Sequence, residues 1–151
     1  MTALIRSSSP APARILMVDD NKSGLAARKA VLEEFGHRVA TAANAEEALG
    51  LFSPGKFDLL VTDFRMPKMD GVELIRRIRA IEPGIPAIIL SGFVESVGLS
   101  EASTGADVVL PKSSNELAHL IRAVNRVLRR KAVKKPAATL PAARQAKRKR
   151  A

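Results

Sequence analysis

Asp19, Asp20, Asp63, Ser91 and Lys112 are the side chains of this 151-residue sequence whose types could do chemistry together. Three carboxylates in one pocket repel: a pair of like charges ~4 Å apart costs on the order of 4 kcal/mol at an effective dielectric of 20. Something cationic must offset that. A hard divalent ion held by oxygens answers the need, and Mg²⁺ suits carboxylates beside a phosphate better than Zn²⁺ does. No His or Cys adjoins these positions to suggest a softer metal. A lysine supplies a fixed positive charge and a serine a neutral donor. Carboxylate nucleophile, metal, ammonium and hydroxyl together describe phosphoryl transfer to an aspartate, in which positioning and charge neutralisation do nearly all the work.

Whether these residues meet depends on the elements that carry them. Apolar runs precede each one: Ile15–Val18 before Asp19-Asp20, Phe57–Thr62 before Asp63, Ile85–Leu90 before Ser91, Val108–Leu110 before Pro111-Lys112. Arg38–Ala42 is a weaker strand candidate between the first two. Helical patterns separate the runs. Leu25, Leu32 and Phe35 share a face before Gly36; Leu74, Ile75, Ile78 and Ile81 form a stripe between Asp70-Gly71 and Pro83-Gly84. Leu117, Leu120, Ile121, Val124 and Leu128 form another, opened by a Ser113-x-x-Glu116 capping-box pattern. Phe93–Thr104 should supply the fourth helix, although Gly98 and its serines make it a poor helix former. Five alternations of strand and helix predict an α/β, doubly wound, five-stranded parallel sheet with five helices. Ligands of such sheets bind beyond the carboxyl ends of the strands, where all five polar residues fall.

Composition agrees. Apolar residues make up 46% and aromatics only 3%, so the core is built from Ile, Leu, Val and Ala, as in a sheet buried on both faces. There is no cysteine, which excludes disulfides and thiolate metal sites. Residues 1–14 lack the apolar stretch of a signal peptide, and no run approaches the ~18 residues of a membrane span. A cytoplasmic location and no membrane contact are expected. The net charge of +10 conceals an asymmetry: residues 122–151 hold 12 of the 25 Lys/Arg and no acid, leaving 13 bases against 15 acids in residues 1–121. The expected organisation is a disordered segment 1–12, a domain 13–131 and a basic disordered tail 132–151. Such a tail is either a solvated extension or a sequence-independent attractor of nucleic acid or another polyanion.

From residue 14 to about 130 the sequence resembles the response-regulator receiver family of two-component signalling. Asp63-Phe64-Arg65-Met66-Pro67-Lys68-Met69-Asp70-Gly71 closely matches that family's phosphoacceptor motif, and Asp19-Asp20 after an apolar strand matches its acidic pair. The resemblance implies a flavodoxin-like sheet of order 2-1-3-4-5. It also implies these roles: Asp63 as phosphoacceptor; Asp19, Asp20, Asp63 and the backbone carbonyl of Arg65 as Mg²⁺ ligands; Ser91 and Lys112 as the phosphate-binding switch pair. The phosphoryl donor would be a sensor histidine kinase or phosphotransfer protein, and phosphorylation would switch protein–protein contacts. A stand-alone receiver that is not an enzyme on an external substrate is expected.

Three features depart from the family pattern. Val109 stands where an aromatic is usual, three positions before the lysine. Ser113 replaces the usual cis proline after Lys112; a non-proline cis bond costs roughly 2.5–4 kcal/mol, so a trans bond is predicted, the alternative being a strained one. The fourth helix looks weak. Arg65 and Phe93, two residues beyond Asp63 and Ser91, are expected to shield the aspartyl phosphate from water. Asp70 reads as a helix cap, Met66, Pro67 and Gly71 as loop-shaping, and His37 and His119 as surface or helix-face residues. A haloacid-dehalogenase type phosphatase ranks low, because Asp63-Phe64-Arg65 lacks that class's second acid.

Overall fold

The computed structural model describes residues 11–92 and 99–131. The expectations for residues 1–10, Phe93 and the tail 132–151 lie outside them. Five parallel strands, β1 (Arg14–Val18), β2 (Arg38–Ala42), β3 (Leu59–Asp63), β4 (Ala87–Ser91) and β5 (Val108–Pro111), form one sheet of order β2-β1-β3-β4-β5. Among the described residues five helices alternate with them: α1 (Lys22–Glu34), α2 (Ala45–Leu51), α3 (Gly71–Ile81), α4 (Glu101–Thr104) and α5, residues 116–131. The fold is the expected doubly wound, flavodoxin-like one.

Strand alternation divides the core between the two faces. Ile15, Met17, Leu59, Val61, Ile88 and Leu90 pack with α1 and α5 through Leu25, Leu32, Leu120, Val124 and Leu128. Leu16, Val18, Leu60, Ala87 and Ile89 face the other way, onto Ala45 and Ala48 of α2 and Leu74, Ile75 and Ile78 of α3. Every residue of β3 and β4 is buried, as a parallel sheet covered on both faces requires. Side-chain caps start the helices: Asn21, Asn44 and Asp70 accept from the N–H groups of Gly24, Glu47 and Glu73, so Asp70 is the cap that its position suggested.

Several sequence expectations need correction. Phe35 is 56% exposed and Ile81 44% exposed. Phe35 lies one position beyond α1 as its C-cap, and Ile81 is the last residue of α3; helical spacing ceases to aim a side chain at the sheet where the helix stops. The Ser113/Glu116 capping box does not form. Ser113 Oγ accepts from Asn115 N–H at 3.3 Å, while the Glu116 carboxylate accepts from Arg28 Nε across the interface with α1. On α5, Ala123 and Val127 join the buried stripe, whereas Leu117 and Ile121 are half-buried. The described part of the fourth-helix region holds only the single turn of α4, boxed by Ser100 and Ser103 and closed by Gly105 at φ +82°.

His37 is buried, not on the surface. It occupies the tight connection from α1 to β2, its Nδ1 accepting the Ala13 N–H at 3.0 Å; His119 is half-buried on α5. Burial holds the His37 pKa below its usual value of about 6.5. The unfolded chain therefore takes up a proton at a pH where the folded one does not, and stability contributed by the neutral ring is lost as pH falls below about 6.5. His37→Asn retains an acceptor and cannot titrate. Urea unfolding of both proteins from pH 7.5 to 5 should show the wild type losing stability relative to the variant only below that point; parallel curves would show that His37 does not contribute.

Candidate functional site

The site exists because neighbouring strands end level with one another. Asp63 is the last residue of β3 and stands in register with Leu90; Ser91, the next residue, closes β4 in register with Pro111. The Lys112 N–H donates to the Ser91 carbonyl at 2.9 Å, and the Asp19 N–H, just beyond β1, donates to the Ala42 carbonyl at 3.1 Å. Three adjacent strands thus deliver carboxylate, hydroxyl and ammonium to one end of the sheet.

Carboxylate oxygens of Asp19, Asp20 and Asp63 lie within 4.8 Å of one another. Asp19 and Asp63 are buried and Asp20 is exposed. Lys112 Nζ sits between two of them, 3.3 Å from Asp19 Oδ2 and 3.0 Å from Asp63 Oδ1. Asp63 Oδ1 also accepts from the Phe64 N–H at 3.0 Å. Burial raises the Asp63 pKa; the Lys112 hydrogen bond opposes this, but repulsion from Asp19 and Asp20 adds to the rise, which prevails. Asp19 goes the other way. Burial alone would raise it, yet the Asn21 N–H, Arg28 and Lys112 outweigh that and hold it below the usual range.

The loop after β3 is shaped by backbone contacts. A Cβ on Gly71 would lie 2.4 Å from the Asp63 carbonyl oxygen and 3.2 Å from Phe64 Cα, so only glycine lets α3 start this close to the strand end. Its N–H donates to the Phe64 carbonyl at 2.8 Å, and Met66 is buried beneath the loop. Ser91 is buried and Arg65 is exposed. All described peptide bonds are trans, that from Lys112 to Ser113 included. Val109 is half-buried, its N–H donating to Glu101 Oε2 at 3.1 Å.

Sequence reasoning missed Arg28 and misread Glu116. Arg28 is 4% exposed, with Nη1 2.7 Å from Asp19 Oδ2 and Nε on the Glu116 carboxylate. The available signal was its position, three residues after Leu25 and four before Leu32, which sets a charge within α1's apolar stripe. Asp19, Asp20, Asp63 and Glu116 against Arg28 and Lys112 leave a balance of −2 when all are ionised. Three clustered oxygen donors and that balance fit a hard divalent cation.

Fold and site define a doubly wound α/β domain with a lysine-bridged acidic pocket at its switch point. The profile of the response regulator receiver domain matches residues 15–125. A response regulator receiver protein of Anaeromyxobacter sp. (strain Fw109-5) is 41% identical over 100 residues, 66% of this chain and 42% of that protein. The virulence sensor protein BvgS of Bordetella pertussis is 40% identical over 105 residues, 67% of this chain and 8% of that one. These matches therefore span less than half of either relative. Among solved structures, a CheY-like response regulator receiver domain protein from Methanospirillum hungatei superposes with a TM-score of 0.72 at 30% identity, covering 82% of this chain and 99% of that chain. A receiver domain protein from Clostridium thermocellum gives 0.70 at 32%, covering 80% and 98%. The chain belongs to the response-regulator receiver family of two-component signalling.

A raised carboxyl pKa means that ionised Asp63 opposes folding at neutral pH. Asp63→Asn should therefore stabilise the metal-free protein at pH 7, by about 1 kcal/mol. The gain should shrink as pH falls and Asp63 itself takes a proton. Chemical denaturation at pH 7 and 4.5 checks both parts; a variant no more stable than the wild type at pH 7 contradicts the electrostatic account.

Proposed function

We propose that this chain accepts a phosphoryl group on Asp63 from a phosphohistidine of a sensor kinase or phosphotransfer protein, and that Asp63-phosphate switches its protein contacts. The observation that carries the reading is Lys112 Nζ held between Asp19 Oδ2 and Asp63 Oδ1, beside a third carboxylate. Both hydrogen-bonding contacts described for the Asp63 carboxylate fall on Oδ1, so Oδ2 is the oxygen that attacks phosphorus. The O–P bond forms as the P–N bond breaks, and the electron pair departs with the donor's imidazole nitrogen. Lys112 then exchanges a carboxylate for a phosphoryl oxygen, and the Ser91 hydroxyl, one residue along the neighbouring strand, donates to another.

Asp19, Asp20, Asp63 and the Arg65 carbonyl would hold Mg²⁺, whose chemistry when bound is to neutralise the pocket's excess negative charge and that of the incoming phosphoryl group. Arg65, exposed beside Asp63, screens the acyl phosphate from water. Val109 in place of an aromatic supports a readout that runs through groups other than a swinging ring. Incubation with acetyl phosphate and Mg²⁺, followed by intact mass and site mapping, tests the chemistry. One added phosphate is expected, lost in Asp63→Asn and on omission of Mg²⁺; no gain in the wild type, or an undiminished gain in the variant, overturns it.

A second reading rests on the charge asymmetry of the sequence. Residues 132–151 attract nucleic acid non-specifically through their Lys/Arg. Filter binding at two salt concentrations, with and without these residues, should show affinity that falls steeply with salt and vanishes on truncation. Salt-independent or tail-independent retention removes this reading.

A further inference from the structure

The Arg28–Glu116 pair joins a buried guanidinium to a part-buried carboxylate that phosphoacceptor chemistry does not use. Arg28 lies among the core residues of α1 with its side chain 5% exposed. Left unpaired, a buried guanidinium is strongly destabilising. Here it is matched on both sides, by Asp19 of the acidic pocket and by Glu116 in the first turn of α5. The fold also makes room for it. A Cβ on Gly24, one turn earlier in α1, would lie 3.0 Å from Arg28 Nη2, so a residue that weakens the helix relative to alanine leaves space for the guanidinium. Apolar side chains of similar volume commonly hold such an interface as well or better than a buried ion pair. Stability alone therefore does not account for an arginine, a glycine and a glutamate arranged this way.

We propose that Arg28 is a positioning residue that couples the acidic pocket to the first turn of α5, so that Glu116 sets the pocket's affinity for a divalent cation and cation occupancy in turn tightens Glu116 on Arg28. The proposal rests on the metal-binding reading above and extends it to a residue pair outside the ligand set. The signs follow from charge. Arg28 touches Asp19 directly and repels a cation bound there; Glu116, on the far side of the same guanidinium, cancels that repulsion. Removing only Glu116's charge leaves Arg28 unopposed and weakens cation binding. Removing both charges restores the balance. Linkage makes the effect reciprocal: a cation that neutralises Asp19 leaves Arg28 a single anionic partner and holds the start of α5 more firmly.

The test uses the full chain, with Mg²⁺ alone as the probe. Isothermal titration calorimetry gives the affinity of the wild type, Glu116→Gln and the double variant Arg28→Leu/Glu116→Leu, each first shown by circular dichroism to be folded. Amide hydrogen exchange at residues 116–120, with and without Mg²⁺, reads the α5 end. Glu116→Gln should bind Mg²⁺ about threefold more weakly or worse. The double variant should return close to the wild-type affinity but lose the slowing of exchange that Mg²⁺ produces in the wild type. If Glu116→Gln binds as the wild type does, or if Mg²⁺ slows exchange equally in the double variant, the coupling is overturned while the metal site stands. No binding to the wild type overturns the metal reading and the coupling with it.

Discussion

Charge balance in a largely buried acidic pocket is the constraint on which this domain depends. Two buried aspartates and an exposed third share one end of the sheet, and like charges at such distances cannot all be ionised without compensation. Two cations provide part of it. Lys112 bridges Asp19 and Asp63, and Arg28 backs Asp19 from the side of α1. The compensation is uneven. Asp19, with two cations and a backbone N–H, is held ionised, whereas Asp63, with Lys112 and two acidic neighbours, keeps a raised pKa. One carboxylate is fixed as an anion and the other is left as the group with charge still to accommodate.

The rest of the architecture holds those distances. Parallel register sets the ends of β1, β3 and β4 side by side, and hydrogen bonds from Asp19 N–H and Lys112 N–H to neighbouring strands carry the alignment one residue past the sheet. Gly71 lets α3 begin against the Asp63 backbone, so the helix capped by Asp70 braces the loop that follows the candidate phosphoacceptor. Beneath this, β3 and β4 are buried on both faces by aliphatic side chains. Such packing tolerates little displacement, which is what a site built from hydrogen-bond and ion-pair distances needs.

The two faces of the sheet differ in one respect that bears on function. On the α2–α3 face the packing is apolar, and the Arg79–Asp107 ion pair of α3 lies before β5, at the other end of the sheet from the pocket. The α1–α5 face adds a charged crossing, Asp19–Arg28–Glu116, from the strand end to the opening of α5. Apolar contacts are indifferent to the charge state of the pocket. An ion-pair chain is not, because its strength depends on the field at Asp19.

Much of this was legible in the residues. Apolar runs that each end in Asp, Ser or Lys identify buried strands and place their polar ends together, because a parallel sheet collects its carboxyl ends on one side. Met66-Pro67 and Asp70-Gly71 after Asp63 announce a tight loop and a capped helix. What tertiary structure alone decided is where partners come from far apart in the chain. Arg28 reads as one more polar residue of α1 until the fold sets Asp19 and Glu116, 88 positions away, on either side of it. Glu116 reads as a cap until that guanidinium claims its carboxylate. His37 reads as a surface or helix-face residue until the chain before β1 brings the Ala13 N–H to its ring. Periodicity along a chain reports which face of an element is apolar. Which charge finds which across the gap between elements depends on packing, and one dimension does not contain it.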